Sequence, residues 1–138
     1  MKSYEIRIDI AATPQKLWQV LTVQMPKDPQ PFGILRFEGQ IAPGARLKLW
    51  SEVAPNRAFV LRVEHFDAQR QLVWRGGMPL GLFTGLRRFT LTPHDNGCVF
   101  EMRETFTGLM SGLITKSMPD LTPSFEKFAQ ALKAKAEM

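Results

Sequence analysis

The amino-acid sequence predicts an α+β fold in which a curved antiparallel sheet of about seven strands wraps around a long C-terminal helix. Two periodicities lead to this prediction. Apolar and polar residues alternate with period two over most of the chain, whereas the C-terminal part carries an apolar stripe with helical spacing. Short connections between the strands favour antiparallel pairing. The length of 138 residues fits a single domain, residues 1–138.

The N-terminal part predicts a strand followed by a short helix. Residues 4–11 alternate between apolar and polar side chains, as a half-buried strand does. Thr13 and Pro14 then have the composition of a helix N-cap and a first helical residue. Three prolines within residues 25–31 predict an extended, irregular connector, because proline does not continue a helix.

Six further strands are predicted after this connector. Turn-forming residues separate several of them, at Pro43 and Gly44 and at residues 54–56, 67–70 and 94–97. The last of these turns contains Asn-Gly, a strong hairpin signal. The strands fall at residues 37–41, 47–50, 59–65, 72–75, 87–92 and 98–106.

The C-terminal part changes to helical spacing. Its apolar residues lie four, three, four, three and four positions apart, at Ile114, Met118, Leu121, Phe125, Phe128 and Leu132. Pro119 and Pro123 interrupt the stripe. Either one long helix kinks there, or a short helix ends and a second begins with Thr122 as its N-cap. The unbroken phase of the stripe favours a shared helix axis.

Several phrases of the sequence resemble the START-like superfamily, also called SRPBCC, which includes polyketide cyclase/dehydrase-like proteins and the birch-pollen allergen. These phrases are IDIAATP at 8–14, LWQVL at 17–21, FEGQI at 37–41 with Gly44, LVWRG at 72–76, RFTLTP at 88–93, Asn96-Gly97 and ETFTGL at 104–109. The resemblance covers essentially the whole chain. It implies a helix-grip fold that holds an apolar or amphipathic small molecule between sheet and C-terminal helix. It implies no particular catalytic residue.

Composition argues against several classes of function. The net charge of +5 arises from 18 basic and 13 acidic residues that are spread along the chain, unlike the clustered charge of nucleic-acid-binding proteins. The chain lacks an apolar run long enough for membrane insertion, and its first residues do not have the pattern of a signal peptide. Cys98 is the single cysteine, which favours a reducing compartment, so we expect a cytoplasmic protein. Motifs for cofactors or metal ions are also missing from the sequence, so we expect neither.

The predicted pocket combines aromatic residues with one pair of charges. If residues 94–97 form the hairpin loop, Arg87 lies opposite Glu104 on the inner face, and a shorter loop makes them diagonal neighbours. This pair either supplies the polar end of the pocket or forms a structural ion pair at the rim. Each aromatic residue, in turn, either lines the pocket or packs in the core. The candidate ligand-binding residues are Trp18, Phe59, Trp74, Phe83, Arg87, Phe89, Met102, Glu104, Phe125 and Phe128.

Three functions are compatible with these patterns. The first is binding of a small hydrophobic or amphipathic ligand. The second is a cyclase, dehydratase or hydrolase in which Glu104, and with it His65, acts as acid or base; His65 alternatively is a satisfied, half-buried side chain. The third is a homodimer or partner contact through the outer sheet face near Trp50. The glycine-rich residues 76–85 are either a mobile lid over the pocket or a bent strand junction.

Overall fold

A computed structural model describes residues 2–138, which form one seven-stranded antiparallel sheet and four α-helices. The strands are β1 Lys2–Ile10, β2 Ile34–Glu38, β3 Arg46–Ser51, β4 Ala54–Asp67, β5 Gln71–Met78, β6 Phe83–His94 and β7 Gly97–Thr107. Their order in the sheet is β1-β7-β6-β5-β4-β3-β2, so strands that follow one another along the chain from β2 to β7 are neighbours, and β1 pairs with β7. The helices are α1 Pro14–Gln19, α2 Met25–Lys27, α3 Ser111–Ser117 and α4 Thr122–Ala136. This architecture confirms the predicted helix-grip fold.

Helix α4 packs its apolar side against the inner face of the curved sheet. Phe125, Phe128 and Leu132 are buried at the spacing that the sequence stripe predicts. The ring of Phe128 lies 5.8 Å from that of Phe89 on β6 and 5.2 Å from that of Phe32. The core therefore lies between one helix and the concave side of one sheet.

The connector after α1 is helical, so the predicted extended connector is wrong. Thr13 caps α1 as predicted, accepting a hydrogen bond from the Lys16 N–H at 3.1 Å. A π-helical turn, Val20–Gln24, then joins α1 to α2, and the Met25 N–H donates to the Val20 carbonyl. Pro26 lies in the first turn of α2, where the loss of its N–H is tolerated and the wider π turn accommodates its ring. A 3₁₀ turn, Gln30–Phe32, follows.

Two strand boundaries differ from the prediction. Strand β2 begins and ends earlier, at Ile34 and Glu38, because the chain leaves the sheet at Gly39, whose φ is 106°. Residues 54–56, predicted as a turn, belong to the long strand β4. The turn that connects β3 to β4 instead lies at Glu52 and Val53.

The C-terminal apolar stripe is carried by two separate helices, which is the second of the two predicted alternatives. The chain leaves helical geometry at Met118, whose ψ is 147°. Met118 precedes Pro119, and the ring of a proline drives the preceding residue to extended backbone. Helix α4 then begins at Thr122, with Leu121 in the N-cap position instead of Thr122. The backbone N–H of Thr122 donates to the Asp120 carboxylate at 3.0 Å.

Candidate ligand cavity

A cavity of about 730 Å³ lies between the sheet and the C-terminal helices. Its floor is formed by residues of β2 to β7, and its roof by α3, α4 and the segment between them. Seven of the ten predicted ligand-binding residues line it: Phe59, Trp74, Phe83, Arg87, Glu104, Phe125 and Phe128. The wall is mainly apolar, as in most small-molecule sites.

The other three predicted residues pack in the core away from the cavity. Trp18 packs edge-to-face against Phe66, with ring centroids 5.3 Å apart. Phe89 and Met102 face each other across β6 and β7 and are fully buried. They share the inner face with the cavity residues but lie where α4 covers the sheet directly, so the core-packing alternative describes them.

Two glycines lie opposite each other in the cavity floor. Gly76 on β5 pairs with Gly85 on β6, and both line the cavity. A Cβ atom at Gly76 would lie 2.6 Å from the side chain of Leu61, and one at Gly85 would lie 3.2 Å from the ring of Phe106. The side chains of Leu61 and Phe106 therefore lie close against the glycine backbone, in positions that a larger residue would not leave to them. The sequence shows this only as two glycines with the parity of inward-facing residues.

Arg87 and Glu104 form an ion pair in the cavity wall. They lie directly opposite each other in the β6–β7 register, which is the first of the two predicted registers, although the turn itself is only Asp95 and Asn96. Arg87 Nε donates to Glu104 Oε1 at 2.6 Å, and the side chains keep only 20% and 14% of their exposure. The Arg87 guanidinium also lies 4.9 Å from the centroid of the Phe125 ring on α4. The pair supplies a donor and an acceptor in a mainly apolar wall.

His65 lies outside the cavity, and its predicted inward orientation is wrong. The register of β4 against β5 shifts between Val63 and His65, because a β-bulge places one extra residue on β4. The bulge reverses the alternation, so that His65 is exposed and Phe66 turns inward instead. His65 and Glu104 are therefore not brought together.

The cavity mouth carries charges that the sequence pattern did not single out. Arg57 on β4 lines the cavity, and its guanidinium lies 5.5 Å from the centroid of the Phe59 ring. Lys127 on α4 donates to both carboxylate oxygens of Glu52, at 2.9 Å for Oε2, and so links α4 to the β3–β4 turn. Arg57 has the parity of the inward-facing Phe59 two residues later, but the turn predicted at residues 54–56 conceals this signal.

The glycine-rich segment at residues 76–85 forms a hairpin beside the cavity. Gly76 and Gly77 belong to β5 and Gly85 to β6, with a four-residue turn between the strands. The backbone N–H of Met110 donates to the Leu82 carbonyl at 2.8 Å, which ties this turn to the start of α3. The segment thus has the structure of the predicted strand junction.

The model of one protein family, described as "Polyketide cyclase / dehydrase and lipid transport", matches residues 1–137. The chain belongs to this polyketide cyclase/dehydrase and lipid transport family. The match extends over almost the full sequence, and it confirms the predicted membership of the START-like, or SRPBCC, superfamily. Among curated protein sequences, none matches the chain.

Solved structures similar to this family member share its fold at low sequence identity. A protein from Mesorhizobium loti superposes with a TM-score of 0.74 at 16% identity, covering 97% of this chain and 96% of that one. Truncated norcoclaurine synthase from Thalictrum flavum gives 0.70 at 16% identity, covering 96% and 91%. The Aha1 dimer from Colwellia psychrerythraea gives 0.73 at 16% identity, covering 100% and 98%. At this identity the likeness establishes the fold alone.

Other features of this polyketide cyclase-family chain bear on the remaining predictions. Trp50, the candidate contact residue on the outer face, is half-buried beneath two cations of its own chain, with Arg36 at 5.2 Å and Lys48 at 5.4 Å from its ring centroid. Within residues 2–138, none of the helices has both the length and the apolar character needed to cross a membrane. Across the same residues, His, Cys, Asp and Glu side chains do not gather in groups of three that could hold a metal ion.

Proposed function

We propose that this polyketide cyclase-family protein binds a small hydrophobic or amphipathic molecule in the cavity between its sheet and its C-terminal helices. The observation that carries the proposal is the cavity itself, with a volume of about 730 Å³ and an aromatic and aliphatic wall that contains one largely buried ion pair. Protein sites for small molecules have this size and this composition.

The wall offers two sources of affinity. Burial of apolar ligand surface contributes about 25 cal/mol per Å² before the cost of association is subtracted. Arg87 and Glu104 add a positioned donor and acceptor, so a ligand hydroxyl, carbonyl or carboxylate that reaches them satisfies its polar atoms inside the wall. The proposed ligand is therefore mainly apolar with at least one polar group. The buried, unpaired Cys98 fits a reducing compartment, and we propose the cytoplasm as the location.

The test compares native and denatured mass spectra of the protein as purified from cells, together with titration of the neutral fluorescent probe N-phenyl-1-naphthylamine. Ser124→Trp places a large ring in the wall from α4, and Gln130→Trp places the same ring on the exposed side of that helix. We expect a non-covalent adduct or saturable probe binding in the native protein and in Gln130→Trp, and at least a tenfold weaker signal in Ser124→Trp. Equal probe binding by both variants would refute the cavity as the binding site.

A second candidate function is catalysis with Glu104 as acid or base, which is favoured by the position of its carboxylate in the cavity wall. His65 takes no part in this version, because it lies outside the cavity. The test uses a ligand recovered from the native protein. A time-dependent change in the mass of this ligand that Glu104→Gln abolishes, with binding retained, would support catalysis. Return of the ligand unchanged would exclude turnover of that compound.

A further inference from the structure

We infer that the ligand is an anion, an amphipathic carboxylate whose acid group is held by Arg57 at the cavity mouth while its apolar body lies inside. This inference rests on the proposed ligand-binding function and specifies the class of molecule that the cavity accepts. It follows from the charges in the wall and from the partners available to each of them.

The charges in the wall leave one cation uncompensated. Among residues 2–138, the charged side chains that line the cavity are Arg57, Arg87 and Glu104. Arg87 and Glu104 neutralise each other at 2.6 Å. Arg57 is therefore the charge that gives the cavity its net positive sign, and a ligand of opposite charge complements it.

Local acidic groups do not compensate Arg57. Among the described residues, four arginines have an acidic side chain within ion-pair distance: Arg7, Arg36, Arg75 and Arg87. Arg57 is not one of them. Glu52, on the turn just before β4, is engaged by Lys127 from α4 through both of its carboxylate oxygens. The acid that sequence proximity would offer to Arg57 is thus held elsewhere.

The side chain of Arg57 is placed at the edge of the cavity. Its guanidinium lies over the ring of Phe59, 5.5 Å from the centroid, and Phe59 itself lines the cavity. Stacking on an aromatic ring uses the face of a guanidinium and leaves its N–H donors free at the edge. A planar, forked donor set of this kind suits a carboxylate, which accepts two parallel hydrogen bonds.

Arg57 and the inner ion pair together suggest an orientation for the ligand. The acid group binds at the solvent-exposed mouth, where it loses only part of its hydration. The apolar body extends past Phe59 and Trp74, and any second polar group reaches Arg87 and Glu104. Acid at the mouth avoids the cost of burying an additional charge in the interior.

The experiment measures displacement of N-phenyl-1-naphthylamine by dodecanoate and by dodecanol, below the concentrations at which either aggregates. The two competitors share a chain and differ in charge. We expect the native protein to prefer dodecanoate about tenfold, the scale of one charge-assisted interaction. Arg57→Gln should abolish this preference by weakening dodecanoate alone. Arg88→Gln, on the exposed side of β6, removes the same charge and should retain the preference.

The outcomes separate the inference from the function on which it rests. Equal affinity for dodecanoate and dodecanol, unchanged by Arg57→Gln, would overturn the inference and leave ligand binding in place. Equal losses in Arg57→Gln and Arg88→Gln would also overturn it, because the effect would then come from net charge. Failure of the probe and both competitors to bind would overturn the proposed function as well. A preference that is specific to Arg57 and decreases with added salt would support the anion site.

Discussion

Replacing Glu104 with glutamine removes one charge from the cavity wall and nearly preserves the shape of the side chain. Arg87 then remains in a largely buried position with a neutral partner, because its side chain keeps only 20% of its exposure. We expect Glu104→Gln to lower the free energy of unfolding. The glutamine carbonyl can still accept a hydrogen bond from Arg87 Nε, so the loss reflects the charge and not the whole contact.

The magnitude follows from the geometry of the pair. At the 2.6 Å separation, the Coulomb attraction is about 6 kcal/mol for an effective dielectric constant of about 20, and desolvation of both groups offsets most of it. Removing one partner costs about 3–5 kcal/mol for a buried pair and about 0.2–1 kcal/mol for an exposed pair. This pair is nearer the buried limit and keeps a hydrogen bond, so we expect a loss of about 2 kcal/mol. That corresponds to a fall in Tm of about 8 °C.

Urea denaturation followed by circular dichroism measures the change, with Glu101→Gln as the matched control. Glu101 lies on the same strand and pairs with Arg7 at 3.9 Å, but the two side chains are 34% and 68% exposed. We expect this control to lose less than about 0.5 kcal/mol. The double variant Arg87→Met/Glu104→Gln should lose less than the sum of its single variants. Equal stability of the Glu104 and Glu101 variants, or strict additivity in the double variant, would refute the reasoning.

Three further predictions concern the core and the acid response. Phe89→Ala should lower the free energy of unfolding by about 3–5 kcal/mol in chemical denaturation, because it deletes a fully buried ring, and a loss below about 1 kcal/mol would contradict its place in the core. Burial raises the pKa of the Cys98 thiol and shields it from reagents. An aromatic disulfide reagent should therefore label Cys98 only as fast as the protein opens, and labelling at the rate of a free thiol would contradict its buried position. Hydrogen bonds from Lys133 and from the Ala11 backbone N–H hold the pKa of Glu137 below the ordinary value of 4.5, so its contribution to stability is complete above about pH 4.5 and is lost as the pH falls through the lowered pKa. Glu137→Gln should therefore destabilise the protein at neutral pH and progressively less in acid, and a difference independent of pH would speak against this assignment.

Where strands are regular, the sequence predicts on which face of the sheet each side chain lies. Arg87 and Glu104 lie together because alternation and the short 94–97 hairpin restrict the pair to one face in either register. The same rule failed at His65, because the β-bulge after Val63 adds one residue that the pattern does not reveal. Alternation thus predicts a side-chain direction only up to the next irregularity.

Whether an inward-facing side chain packs in the core or borders the cavity could not be predicted from the sequence. Phe89 and Phe59 both occupy inward positions on neighbouring regions of one sheet, yet Phe89 is covered by α4 and Phe59 borders the cavity. The difference depends on where the helix crosses the sheet, which is set by packing between distant segments. Arg57 was missed for a related reason, since Ala54, Pro55 and Asn56 resemble a turn locally but extend β4 in the folded chain.

Regular sequence patterns are interrupted at several residues that border the cavity. Gly76 and Gly85 leave two facing inward positions without side chains, and Pro119 forces Met118 out of helical geometry, so the stripe residues on either side of it reach the wall from two separate helices. A larger residue at Gly76 would collide with Leu61, and one at Gly85 would crowd the ring of Phe106, so glycine at both positions lets these side chains lie close to the sheet. Such local departures from a regular pattern are expected at functional sites. Arg57 is exposed and the Arg87–Glu104 pair is largely buried in the same wall, an arrangement that suits the amphipathic ligand proposed above.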